Sequence, residues 1–296
     1  MPKAEINGVN LYYEDTGSGV PVVFVHEFAG DYRSWEPQVR HFSRRYRCIT
    51  YNARGYPPSD VPEQVEAYSQ DIAVDDLLGL LDHLGLQQAH IVGFSMGGYA
   101  ALIFGLRHPE RCRSLVIAGC GYGSDTDRSK WERDVEQVAA RFERDGMQTA
   151  ADFYARGPTR VQFMDNDPRG WQEFYEQLRA SSSIGHAMTM RGVQRRRPSV
   201  GQLEPQLRKL DVPTLVMTGD EDEPCLEPGL LMKRSILSSA LVVMPKCGHT
   251  INLEDPTAFN GHLEAFFSAV DAGRWQPRNP ASLSTSAILP PSEEPG

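Results

Sequence analysis

The chain has 296 residues, 40% of them hydrophobic and 23% charged, proportions that build a sizeable core and exclude a chain disordered throughout. Its 39 acidic residues outnumber 30 basic ones, leaving a formal net charge of −9. Neutralising phosphates takes a clustered basic excess, so no nucleic-acid partner is expected, and a small-molecule substrate fits better.

The five cysteines, Cys48, Cys112, Cys120, Cys225 and Cys247, are odd in number and none pairs in a CxxC spacing. The expectation is reduced thiols in a cytoplasmic protein with no metal site. The opening Met-Pro-Lys-Ala-Glu lacks the pattern of a leader, and no apolar run reaches about 18 residues, so neither secretion nor membrane insertion is expected.

In chain order, Glu5 to Glu14 reads as a β-hairpin turning at Asn7-Gly8, a dipeptide that tolerates positive φ. Short β-branched runs follow at Val22 to Val25, Cys48 to Tyr51, Ile91 to Gly93, Leu115 to Ala118, Leu215 to Thr218 and Leu241 to Met244. Such runs suit strands buried on both faces. Between them lie helical patterns, Asp71 to Leu84 with its apolar stripe and Met96 to Arg107. Alternation of this kind predicts an α/β fold, a mostly parallel sheet covered by helices on both faces.

After Gly119 the rhythm breaks for about 90 residues of charged, mostly helical sequence, including Trp131 to Gly146 and Trp171 to Arg179. The expected organisation is a core over 1–120, an inserted helical cap over 121–209, the rest of the core over 210–272 and an unstructured tail over 273–296. The tail is expected from its prolines and weak apolar periodicity. The run Arg195-Arg196-Arg197 reads as a solvated charge patch.

The segment Gly93-Phe94-Ser95-Met96-Gly97 places G-x-S-x-G between an apolar strand and a helix, the context in which this pattern marks a nucleophile. A serine on so sharp a turn needs Gly93 and Gly97 without side chains, and the helix start beyond it favours an anion. A serine hydroxyl also needs a base, usually a histidine oriented by a carboxylate. Among eight histidines, His249 alone sits in a loop after the last predicted strand, at the sheet edge where ligands bind. His83, His90, His108 and His262 fall on helix or strand patterns, while His186, in the cap, could face a pocket. The carboxylate is expected after the strand at Thr214 to Thr218, where Asp220, Glu221, Asp222 and Glu223 all qualify; Asp125 and Asp127 are weaker candidates after the earlier strand.

Taken with His26-Glu27-Phe28, Asn52-Ala53-Arg54-Gly55, His108-Pro109-Glu110-Arg111, Gly219-Asp220-Glu221-Asp222 and Gly248-His249, the chain resembles the capped α/β-hydrolases of the esterase, lactonase and haloperoxidase-like group over roughly residues 5 to 270. The resemblance implies a Ser95, Asp222, His249 triad, since the family's acid is the fourth residue of a G-x-x-D turn. It also implies an oxyanion hole made by the backbone N–H groups of Phe28 and Met96, and no cofactor. The implied reaction is hydrolysis of a small carboxylic ester or lactone through an acyl-enzyme. Cleavage of a carbon–carbon bond in a diketone-like substrate is the alternative, and a non-catalytic small-molecule receptor of the same fold is a third reading.

Two departures stand out. Where the family has His-Gly, this chain has His26-Glu27, and at about 5 Å in an effective dielectric of about 20 a carboxylate would oppose an oxyanion by about 3 kcal/mol. Glu27 is therefore expected to pair with an arginine such as Arg33 or Arg54, with a substrate-binding role for Glu27 and His26 as the sharper alternative. The second departure is Arg54-Gly55-Tyr56-Pro57-Pro58-Ser59, which puts proline where a flexible R-G-x-G-x-S loop is usual. Cap aromatics Trp131, Phe153, Tyr154, Phe163 and Trp171 are candidates to line an apolar pocket.

Overall fold

The computed structural model describes residues 2–124 and 128–283. Asp125, Asp127 and the last part of the expected tail lie outside the described residues. Eight strands form one sheet: β1 (Lys3–Ile6), β2 (Val9–Gly17), β3 (Val20–Val25), β4 (Tyr46–Tyr51), β5 (Ala89–Phe94), β6 (Cys112–Ala118), β7 (Thr214–Gly219) and β8 (Ser239–Met244). Their spatial order is β1-β2-β4-β3-β5-β6-β7-β8. The β1–β2 and β2–β4 pairs are antiparallel and all others parallel. The opening hairpin turns at Asn7 (φ 48°) and Gly8 (φ 78°), the left-handed pair that a two-residue turn requires.

Strand alternation explains why the runs read as continuously apolar. Val23, Val25, Ile91, Leu115 and Ile117 point to one face, under α2 (Gln70–His83) and α3 (Met96–Arg107). Val22, Phe24, Val92, Phe94 and Val116 point to the other, under α1 (Glu36–Phe42) and a C-terminal helix (Pro256–Asp271). Both faces are dry, so neither needs polar residues. Helix α2 starts where Ser69 Oγ accepts from Ile72 N–H at 3.0 Å, one residue before the predicted start.

Between β6 and β7 the chain leaves the sheet for a helical insertion: α4 (Arg128–Ala155), α5 (Val161–Asn166), α6 (Pro168–Arg179), α7 (Ser183–Thr189) and the short α8 (Glu204–Leu207). Helix α4 bends at Gly146 (φ 70°), where the sequence pattern ends its first helical stretch. Trp131, Val135, Phe142, Phe163 and Phe174 of the insertion share an apolar cluster with Phe28, Tyr56 and Met96. The insertion is thus packed onto the loops at the carboxyl ends of the strands. After β7 come α9 (Glu223–Ser235), then β8, α10 (Ile251–Glu254) and α11 (Pro256–Asp271).

Part of the segment expected to lack structure is docked. Trp275 packs on Phe266 at a ring distance of 4.6 Å, and its Nε1 donates to Ser238 O at 2.7 Å. The basic run divides as well. Arg195 reaches Glu136, whereas Arg197 is buried over the rings of Tyr99 and Trp131, so it is no solvated patch.

Candidate active site

Ser95 lies between β5 and α3 with φ 54° and ψ −112°, a conformation that side chains avoid unless the surroundings impose it. Its N–H donates to Ala118 O at 2.7 Å, tying the turn to β6. The flanking glycines are required by contact: a Cβ on Gly93 would stand 2.1 Å from Gly97 O, and one on Gly97 2.1 Å from Val25 O. Both close approaches are to backbone, which cannot step aside.

His249, in the loop after β8, places Nε2 2.9 Å from Ser95 Oγ and Nδ1 2.8 Å from Asp222 Oδ2. The four acids of the β7 turn are separated by this geometry. Asp222 is buried against the imidazole, while Asp220 is exposed and meets only Cys247 N–H at 3.3 Å. Burial, the largest influence on the Asp222 carboxyl, pushes its pKa up. The attraction of His249, the hydrogen bond to it and a further one from the Cys225 thiol outweigh burial, and the net position is below the usual range. Asp222 is therefore ionised.

Asp222, Cys225 and His249 offer ligand atoms within 4.8 Å of one another, the one such group among the described residues. A cysteine binds metal as thiolate, however, and burial followed by the charge of Asp222 holds Cys225 well above its ordinary pKa. The set reads better as a hydrogen-bonded relay.

The loop after β3 carries the second half of the site. Neither the Phe28 N–H nor the Met96 N–H makes a hydrogen bond among the described residues. The Phe28 carbonyl accepts from Tyr56 Oη at 2.9 Å. Tyr56 belongs to the proline-stiffened loop, which thereby gains a task. His26, a candidate for substrate contact in the sequence, is instead committed to backbone. Its Nε2 accepts from Ala53 N–H at 3.0 Å, so Nδ1 carries the proton and donates to Glu27 O at 2.7 Å. Burial lowers its pKa, consistent with a neutral ring.

Glu27 pairs with neither arginine that the sequence suggested. Arg33 is held by Asp31 at 2.5 Å, and Arg54 forms two 2.7 Å bonds to Asp76. With those guanidiniums neutralised, Glu27 Oε2 pairs with Arg160 Nη2 of the insertion, and both side chains are buried. Arg160 Nη1 also donates to Thr250 Oγ1 at 3.1 Å, beside His249.

Arg160 escaped the sequence reading because nothing local marks an arginine in a charged insertion. Glu254 was missed for a similar reason: it looks like any acid at a helix end. Its carboxylate accepts from Gly248 N–H and Thr250 N–H, both at 2.7 Å, and so clamps the peptides on either side of His249. Burial raises its pKa above the ordinary value.

Of the insertion's candidate aromatics, Tyr154 reaches the site, with its ring 5.3 Å from that of Phe28. Phe153 is 48% exposed, with the Arg141 guanidinium 4.0 Å over its ring; Trp131, Phe163 and Trp171 are buried in the insertion's core. His186 is buried with its ring 4.9 Å from Phe28, and its Nδ1 lies 2.9 Å from Ser182 O.

The sheet order, the strained serine at its centre and the histidine at its carboxyl edge define an enzyme of the α/β-hydrolase class. The chain belongs to the alpha/beta hydrolase fold family, whose model matches residues 20–256. It is 27% identical over 246 residues to a 3-oxoadipate enol-lactonase of Acinetobacter baylyi, covering 82% of this chain and 87% of that one. It is 27% identical over 270 residues to a 2-hydroxymuconate semialdehyde hydrolase of a Pseudomonas species, covering 90% and 93%. Among solved structures, a thermophilic esterase from Thermogutta terrifontis superposes with a TM-score of 0.81 at 28% identity, over 91% of this chain and 98% of the other.

Proposed function

We propose that this protein is a serine hydrolase that cleaves a small carboxylic ester or lactone through an acyl-enzyme. The observation that carries the reading is the unbroken hydrogen-bond chain Ser95–His249–Asp222 beneath two unpartnered backbone N–H groups. Ser95 Oγ attacks the substrate carbonyl while His249 Nε2 takes its proton, and ionised Asp222 stabilises the imidazolium. The tetrahedral oxyanion accepts hydrogen bonds from Phe28 N–H and Met96 N–H, aided by the positive end of α3. Collapse expels the alcohol, which takes the proton from His249; in a lactone it stays tethered to the acyl group. Water, deprotonated by His249, then releases the acid. No step needs a cofactor.

The helical insertion acts as a cap, bringing Tyr154 and Phe142 over Phe28 and giving the acyl group an apolar surround. The enol-lactonase and esterase relatives support acyl transfer. The semialdehyde hydrolase supports a second reading, hydrolysis of a carbon–carbon bond by the same three residues. No helix among the described residues is long and apolar enough to cross a membrane, and all five cysteines are buried and unpaired, which suits a reducing compartment such as the cytoplasm.

Labelling by a fluorophosphonate probe, lost in Ser95→Ala, together with turnover of a short p-nitrophenyl ester, tests the assignment. Folded protein that neither labels nor turns over the ester overturns the esterase assignment. A panel of esters, lactones and vinylogous diketones then separates the two hydrolytic readings.

A further inference from the structure

The chemistry above leaves the buried Glu27–Arg160 pair without a task. Glu27 belongs to the peptide unit whose N–H is offered to the oxyanion, and Arg160 bonds the residue next to His249. The pair therefore bridges the two loops that flank Ser95. The guanidinium lies 5.7 Å from the Tyr154 ring and 5.2 Å from that of Phe174, and Tyr154 in turn packs at a tilt against Phe28. Two polar atoms of the pair, Glu27 Oε1 and Arg160 Nε, are buried without a hydrogen-bond partner, so the ion pair is incompletely satisfied.

A desolvated guanidinium framed by aromatic rings beside an acyl site is a receptor for a carboxylate, because its planar donors match two carboxylate oxygens. In this protein that receptor is already filled from within. Glu254, on the backbone around His249, adds a second acid to the surroundings of Arg160.

We propose that Glu27 is an internal stand-in for a substrate carboxylate: it neutralises Arg160 and restricts the site to uncharged esters or lactones. This rests on the hydrolase reading for its chemistry. A carboxylate on the acyl chain would be buried beside Glu27 with Arg160 already taken, and like charges at such range in a protein interior disfavour binding by about 100-fold. Removing Glu27 shifts the preference toward the anionic ester, because Arg160 then lacks its anion.

The test compares p-nitrophenyl pentanoate with mono-p-nitrophenyl glutarate, which is similar in length but ends in a carboxylate. Wild type should favour the neutral ester by about 100-fold in kcat/KM. Glu27→Ala should shift that ratio toward the glutarate ester by about 10-fold or more, and adding Arg160→Met should return it. A second measurement needs no turnover: acetate should raise the Tm of Glu27→Ala saturably, and raise that of neither wild type nor the double variant. Should Glu27→Ala not fold, Glu27→Ser, which likewise vacates the place of the carboxylate, serves in both measurements.

A purely structural ion pair would lower Tm in the single variant without moving the ester ratio or the acetate response, and that result overturns the proposal. Equal use of both esters by wild type overturns it too. If no ester is turned over by any variant, the hydrolase reading fails, and the acetate response still decides whether Glu27 occupies an anion receptor.

Discussion

His26 Nδ1 lies 2.7 Å from the carbonyl oxygen of Glu27, and that oxygen belongs to the same peptide unit as the Phe28 N–H. In a trans peptide the two groups point in opposite directions, so anchoring one aims the other. Tyr56 holds the next carbonyl, that of Phe28. The Phe28 N–H, which we propose is offered to the oxyanion, is thus set before substrate arrives, the condition for electrostatic stabilisation to lower a barrier.

Replacing His26 by alanine should therefore lower kcat for a p-nitrophenyl ester by about 10- to 100-fold while changing KM much less. Steady-state kinetics on the folded variant check it. A larger change in KM than in kcat would mean that His26 contributes to ground-state binding instead.

Asp222 and Asp220 should differ sharply on mutation. Asp222→Asn leaves His249 with the wrong proton arrangement and no negative partner, and kcat should fall by about 1,000- to 10,000-fold. Asp220→Asn, on the exposed side of the turn, should stay within about threefold of wild type. Parallel measurement of kcat for the two variants decides which carboxylate orients the base.

Gly97→Ala should be among the most damaging single substitutions. The added methyl would meet backbone oxygens of Val25 and His26 at 2.1 and 2.6 Å, so α3 or the β3 loop must move. We expect a loss of more than about 3 kcal/mol, or failure to fold, read from denaturant midpoints.

Acid should destabilise the protein between about pH 6.5 and pH 4. Burial depresses His186 and His90 to about 4, against an ordinary value of 6.5. In that window the unfolded chain binds more protons than the folded one, so stability rises with pH and is lost on acidification. Fully buried His186 alone could account for up to about 3 kcal/mol. Urea unfolding at stepped pH should show this slope, and His186→Phe should reduce it, leaving the share of His90.

The fold and the strained turn that carries Ser95 were legible because their signals are local. Strands with two dry faces read as short β-branched runs, and the glycines flanking Ser95 are needed by atoms within four residues or on the adjoining strand. His249 was legible from its place after the last strand. Asp222 was not separable from Asp220 by spacing, since two residues in a turn reverse direction according to how the turn folds. Only the position of His249 against the turn distinguishes them.

Trp275 marks a different boundary. Proline-rich composition made the segment look loose, but one indole docked on Phe266 ties down its start. Composition averages over a segment, whereas docking depends on a single side chain meeting a complementary surface.

The sequence by itself determined the sheet, the turn that carries Ser95 and the presence of an acid, Glu27, directly after His26. It also set the expectation that Glu27 is neutralised, because burying a bare carboxylate is costly. Which residue does so was decided by tertiary structure alone. Arg33 and Arg54 are nearer in sequence but are claimed by Asp31 and Asp76, and the partner, Arg160, lies 133 residues away on the insertion. Pairing over such a distance is set by how the helices pack over the sheet, and no local pattern encodes it.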